Sequence, residues 1–182
     1  ATAGNTTDFG DLATARRAIA GLGNHTRALF AGGVGLLNSI EFITAASTGN
    51  AADFGDMSAG AYGCTGLSNS TRGIFSLGYD ENPANTNTMD FITIASAGNA
   101  VDFGDMTTAS SSSTRGVFSG GLTNPAKLSV IEFVTIASKS NAIDYGDLTV
   151  ARTQPTGLSN SIRAVTAGGN TGSRSDVIDF VT

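Results

Sequence analysis

Apolar residues along this chain alternate with polar ones or gather in short runs, and clusters of Gly, Asn, Ser and Thr interrupt them roughly every 8 to 12 positions. No stretch sustains the spacing of an amphipathic helix. Between residues 61 and 103 the pattern predicts four strands: Ala61–Leu67, Arg72–Ser76, Thr88–Ile94 and Ala100–Phe103. Ser68-Asn69-Ser70 and Ala97-Gly98-Asn99 break them, with residues that tolerate left-handed backbone and hydrogen-bond their own chain. The expected class is all-β, in short antiparallel strands.

The same pattern returns four times. Asp-Phe-Gly-Asp begins at Asp8, Asp53 and Asp102, and Asp-Tyr-Gly-Asp at Asp144, so the copies lie 45, 49 and 42 residues apart. After each comes an Arg leading an apolar run: Arg27, Arg72, Arg115 and Arg163. The repeats divide a single domain at roughly 1–44, 45–93, 94–135 and 136–182, a period typical of propeller blades. The termini also match. Asp179-Phe180-Val181-Thr182 resembles Asp90-Phe91-Ile92-Thr93, and Ala3-Gly4-Asn5 resembles the next segment, Ala97-Gly98-Asn99.

That match predicts a four-bladed β-propeller closed by pairing an N-terminal strand, around Thr6–Leu12, with the C-terminal blade. The C-terminal strands are expected at Thr153–Asn160, Ile162–Ala167 and Asp176–Thr182. The rival is an open stack, which would need polar caps on its terminal repeats, and the sequence shows none. In a ring the small-residue first strands would lie innermost, with Phe9, Phe54, Phe103 and Tyr145 packing between blades farther out. The third repeat is short between its acidic motif and Arg115, leaving a first strand of about Ala109–Ser112.

Three strands end in a glycine pair, Gly32-Gly33, Gly120-Gly121 and Gly168-Gly169, and the following strand carries Phe42, Phe133 or Phe180. With the aromatic of the acidic motif next, and Arg16 and Arg152 after it, this order resembles the kelch repeat along the whole chain. Departures are the absence of Trp, Leu77-Gly78 for one glycine pair, and Ala61 and Ser110 in place of the Arg. The Asp-Phe-Gly-Asp-Leu and Thr-Arg-Gly-Val-Phe-Ser-Gly-Gly phrases also look like repeat arrays in structural and tail-fibre proteins of marine tailed phages. These resemblances imply a structural or adhesive module of a virion appendage or other extracellular assembly. The alternative is an intracellular kelch-type protein-interaction domain. A galactose-oxidase-like enzyme would need metal ligands that the sequence does not offer.

Charge narrows the partners. The net charge is −5 and charged residues make up 14% of the chain, without the basic clusters that phosphate-backbone binding needs. No apolar run approaches the ~20 residues of a spanning helix. The single Cys64 has no internal disulfide partner and reads as a small buried hydrophobe. Neither an initiator Met nor a signal peptide is present, which reads as a processed form or a part of something larger.

The acidic motifs supply Asp8, Asp11, Asp53, Asp56, Asp102, Asp105, Asp144 and Asp147. Clustered carboxylates can bind Ca²⁺. Strict repetition instead favours a structural role, capping turns and pairing with Arg27, Arg72, Arg115 and Arg163 between blades, so no metal or other cofactor is expected. His25 lies in a turn, with no Ser or Cys motif for it to activate. The sequons at Asn5, Asn24 and Asn69 arise easily in a chain rich in Asn and Thr.

Contrast between copies points to the connections after the glycine pair, 34–38, 79–87, 122–129 and 170–175. These vary in length and residue while the strands repeat, and binding residues commonly sit on such loops. Candidate contacts are Tyr79, Asp80, Glu81 and Asn82 on the longest loop, Asn124 and Lys127 on the third, and Asn170 and Arg174 on the fourth. Expected partners are a cell-surface glycan or the protein subunits of a larger assembly.

Overall fold

The computed structural model describes residues 4–79, 87–105, 115–123, 126–159 and 162–182, and each regular element in them is a strand. Sheet 1 contains β1 (Ala20–Gly23), β2 (Arg27–Ala31), β3 (Ser39–Thr44) and β4 (Ala52–Asp56). Sheet 2 contains β5 (Thr65–Ser68), β6 (Arg72–Ser76), β7 (Thr88–Thr93) and β8 (Val101–Asp105). Next come β9 (Arg115–Ser119), the small hairpin of β10 (Leu122–Thr123) and β11 (Ala126–Lys127), β12 (Val130–Thr135) and β13 (Ile143–Asp147). Strands β9, β12 and β13 form sheet 3. Sheet 4 contains β14 (Thr156–Ser159), β15 (Ala164–Ala167) and β16 (Ile178–Val181). Within each sheet the strands follow one another antiparallel in chain order.

The four blade-like units of the sequence are therefore present, and in the second of them three strands match the prediction to within a residue or two. The first starts at Thr65 rather than Ala61. Its lead-in is used between connections, with Gly33 N–H donating to Ala61 O (2.9 Å) and Tyr62 pairing with Tyr79. The short strand expected at Ala109–Ser112 lies outside the described residues.

Closure does not occur among the described residues. Residues 4–19 contain no strand, the expected pairing of Thr6–Leu12 with the last sheet is not formed, and sheet 4 ends at β16. The N-terminal acidic motif is held by sheet 1 instead. Gly49 N–H donates to Phe9 O and Ala51 N–H to Asp11 O, both at 2.8 Å.

The acidic motif is a β-bulge. Opposite β3, Ile40 pairs with Gly55 and Glu41 with Asp53, so Phe54 is the extra residue. Phe103 and Tyr145 occupy the same bulged position. A bulge bends the strand and re-aims a side chain, here turning Phe54 and Phe103 into the spaces between sheets, where both are buried. The first Asp of the motif accepts from the glycine N–H two residues on: Asp8 to Gly10 (3.1 Å), Asp102 to Gly104 (3.1 Å) and Asp144 to Gly146 (3.0 Å).

The bulged backbone then docks on the turn of the following sheet. Gly98 N–H donates to Phe54 O (2.7 Å), Ala100 N–H to Asp56 O (2.8 Å), and Asp56 N–H to Asn99 Oδ1 (3.1 Å). Ala142 N–H reaches Asp105 O (3.0 Å), and Asp105 N–H reaches Asn141 Oδ1 (3.3 Å), in the same way.

Apolar packing completes each junction. Leu22 of β1 lies over Gly73 of β6, and Leu67 of β5 lies over Gly116 of β9. The small first strands converge, so that a methyl at Gly66 would stand 2.6 Å from Gly21 O. One apolar cluster joins Leu29, Ile40 and Phe54 to Phe75, Ile92 and Ile94. A second joins Leu67, Ile74, Met89 and Phe103 to Phe118, Val134 and Ile136. A fully buried Leu or Ile contributes about 1.5–3 kcal/mol, so the core lies between sheets rather than within any one of them.

Replacing Gly55 tests the docking. Its φ is +143°, and a Cβ there would lie 2.5 Å from Gly98 O, whereas one at Gly98, φ +159°, would meet nothing. Gly55→Ala is expected to cost roughly 2 kcal/mol more than Gly98→Ala in urea unfolding. Equal costs would mean that the contact does not hold the sheets.

Candidate functional site

The connections singled out by their variability leave the sheets beside the glycine pairs, where backbone bonds join neighbouring repeats. Gly33 N–H donates to Ala61 O, and Gly121 N–H donates to Arg152 O (3.0 Å). Gly78, kept where the pair is otherwise lost, has no room for a side chain against Tyr62 O and Gly63 O. This packing aligns Tyr79 with Tyr62. Their backbones exchange two hydrogen bonds (3.1 and 2.9 Å), and their rings stand 5.0 Å apart at 48°. Tyr79 is 36% exposed, so the pair presents a partly open aromatic surface.

Lys127 and the fourth connection also meet. Lys127 Nζ lies 3.9 Å from the position a Cβ would take on Gly172. Asn170 shapes this loop, its Oδ1 accepting from Gly172 N–H (2.7 Å) and its backbone pairing with Thr153. Arg174, bridged to Asn170, is exposed. Asp80, Glu81, Asn82 and Asn124 lie outside the described residues. The structure thus joins Lys127 to the 170–174 loop and Tyr79 to Tyr62. Sequence reasoning misses Tyr62, although an aromatic next to Ala61, where other copies have Arg16 and Arg152, is a visible signal.

Beneath these connections lie acids that sequence reasoning also misses. The third strands carry Glu41, Asp90, Glu132 and Asp179 between an Ile or Met and a Phe, and the first three are buried. Glu41 pairs with Arg16 and accepts from Ala13 N–H (2.9 Å). Arg16 also reaches Ser39 O (3.2 Å) and Gly32 O (3.3 Å). Asp90 has no Arg and is satisfied by the Ser58 N–H (2.7 Å) and hydroxyl (2.8 Å). In sheet 4 the fully buried Arg152 lies 2.9 Å from Asp179, without hydrogen-bond alignment, and donates to Thr166 O (3.2 Å). Buried charges need such partners, so the Arg16 and Arg152 picked out by the kelch resemblance brace the segments entering the first strands.

The Arg residues of the second strands behave differently from expectation. Arg27 and Arg72 do not pair with the motif carboxylates. Arg27 lies 4.6 Å from the centre of the Phe42 ring and donates to Ile94 O (2.8 Å) of the next sheet. Arg72 repeats this over Phe91, at 5.0 Å, and donates to Ala137 O (3.1 Å). A cation over an aromatic face remains partly hydrated while its N–H groups serve end-of-strand carbonyls. Arg163 stacks on Phe180 at 4.8 Å, and the Arg115 side chain lies outside the described residues.

The motif carboxylates face other groups. Asp147 accepts from the Ser129 hydroxyl (2.7 Å), and Asp102 pairs with exposed Lys139 at 3.3 Å. Among the described residues no three His, Cys, Asp or Glu side chains gather closely enough to hold a metal ion. His25 is exposed in its turn, where Asn24 Oδ1 caps the N–H groups of Thr26 and Arg27. A scan against protein-family models gives no match, and a search of curated proteins finds no significant relative, so the kelch and phage resemblances stand on their motifs alone.

Two measurements follow. EDTA is expected to leave the melting temperature unchanged and Ca²⁺ calorimetry to show no saturable binding; a chelator-induced fall of several degrees would make the motifs metal sites. Burial pushes the Cys64 thiol above its ordinary range, backbone hydrogen bonds at Gly78 and Cys64 offset part of that rise, and Asp90 adds the smallest share to it. The unfolded thiol therefore ionises before the folded one, so the contribution of this group to stability is full below about pH 8.5 and declines above it. A Cys64→Ser variant that shows the same decline would assign it elsewhere.

Proposed function

We propose that the chain is a non-enzymatic, kelch-like radial β-scaffold that serves as a structural or adhesive module of a virion appendage or extracellular assembly. Its variable connections bind a glycan or a protein subunit. The observation that carries this reading is the division of labour between recurrent and variable residues. Phe54, Phe103, Arg27 and Arg72 are engaged in contacts between sheets. Tyr79, Lys127 and Arg174 are not part of that repeated set and reach the surface or its edge.

Tyr79 on Tyr62 offers an aromatic face of the kind that packs against a sugar ring or a partner's anchor residue. Cationic Lys127, beside the 170–174 loop, adds hydrogen-bond donors for hydroxyls or carboxylates.

Replacing Tyr79, Asp80 and Glu81 together with Ala should leave the melting temperature within a few degrees, since surface loops tolerate change. Attachment to cells, to a glycan array or to the neighbouring subunit should fall at least tenfold. Equal attachment by both proteins would make this loop a connector and remove the basis of the reading.

A further inference from the structure

The last sheet presents the face that every earlier sheet buries. Ile178 of β16 is 68% exposed, while Ile40, Met89 and Ile131 at the same place in sheets 1 to 3 are 0%, 0% and 4% exposed. Leu158 of β14 is 65% exposed, against 4% for its counterpart Leu67. Phe180 is exposed beside them, and β16 has a partner along one edge only. Ahead of it in the chain, a methyl group added at Gly146 would meet nothing within 4 Å, although Gly10, Gly55 and Gly104 each rest on the turn of the following repeat.

The first sheet presents the complementary face. Phe30 and Ile43 are half-buried, whereas Phe75 and Ile92 in sheet 2, and Phe118 and Val134 in sheet 3, are buried. Residues 4–11 carry the Gly-Asn turn and acidic segment that complete a sheet elsewhere, and they join no sheet among the described residues. Docking on sheet 1 does not occupy the free edge of this segment. Strand β4 pairs with β3 while its Phe54 and Asp56 carbonyls accept from the next repeat, so one strand makes both contacts at once.

We propose that the N-terminal segment of a second copy of this chain completes sheet 4, joining copies head to tail. The internal registers dictate the pairing. Phe42 opposes Ala52, Phe91 opposes Val101 and Phe133 opposes Ile143, so Phe180 opposes Thr7 of the second copy. Likewise Ile178 opposes Gly10 and Val177 opposes Asp11. The second copy's Gly4 N–H donates to Tyr145 O, its Thr6 N–H to Asp147 O, and Asp147 N–H to its Asn5 Oδ1. Leu158 falls against Ala28 where Leu22 lies over Gly73, with the flexible end of its side chain shifting to admit the Ala28 methyl.

A second copy is the favoured occupant because it brings the strand, the turn and the apolar face of sheet 1 as one unit. No sheet closes among the described residues, and the chain's own segment does not pair with β16.

The test is a Thr7→Cys/Phe180→Cys double variant, oxidised and run without reductant, with each single variant as control. A disulfide-linked dimer that forms from the double variant, and not from either single variant, is the expected result. A cross-link confined to monomers would mean that the chain closes on itself, and no cross-link would mean that the pairing does not exist; either overturns the proposal. In parallel, Leu158→Asp, at a position already exposed in the isolated chain, should weaken dimerisation at least tenfold in sedimentation and leave the circular-dichroism spectrum unchanged. Undiminished dimerisation would contradict the proposed interface.

Discussion

Backbone hydrogen bonds and one Asn side-chain amide hold the bulged segments at Phe9, Phe54 and Phe103 to the turn of the next sheet, and the array depends on that contact. One repeat of such an array cannot bury its hydrophobic face alone, and stacking against neighbours does so. Docking brings the face of one sheet against the next, so that Phe54 and Ile94, or Phe103 and Ile136, share a core. Gly55 and Gly104 recur because a Cβ would collide with the incoming turn. The constant length of the motif follows from the same geometry: the bulge puts Phe in the gap, and the glycine after it meets the backbone of the neighbour.

Charged groups in this core meet partners close by, although the Arg152–Asp179 contact lacks hydrogen-bond alignment. The Arg over Phe uses its aromatic neighbour as a platform and directs its donors to the carbonyls of the next sheet, linking sheets a second time. The acids of the third strands tie the segments entering sheets 1, 2 and 4 to those same sheets, Glu41 through Arg16, Asp90 through Ser58 and Asp179 through Arg152. Removing a single partner of such a group would leave a charge buried and unpaired, which costs more than the pair contributes.

Much of this architecture is legible in the sequence, because strand alternation and Asn/Gly turns are local signals. Asn24 and Asn69 cap their turns as their residue type implies. Asp8, Asp102 and Asp144 cap the bulge by the same chemistry. The bulge itself is not legible, since a one-residue insertion looks like ordinary alternation until a partner strand is placed. Pairing of Asp with Arg between blades is the expectation from opposite charge and repetition. It fails at Arg27 and Arg72 because the strand-end carbonyls and the Phe ring are closer partners. Ile-Glu-Phe and its variants are readable as buried acids, but charge alone suggests a surface. The similarity of the two ends marks complementary surfaces; it cannot tell which molecule joins them. In the candidate site, variability locates the loops, while the Tyr62–Tyr79 pair depends on a contact between a lead-in and a connection that spacing does not encode.

The central claim is that docking between repeats, rather than pairing within a sheet, carries the stability. Native-state amide hydrogen exchange tests it most directly, because Gly98 and Ala100 lie outside any strand yet donate to Phe54 and Asp56 across the junction. The account predicts that both amides exchange as slowly as those of buried Ile74 and Phe75 in β6, through global unfolding. Exchange of Gly98 and Ala100 at the rate of an open turn, with β6 still protected, would contradict it.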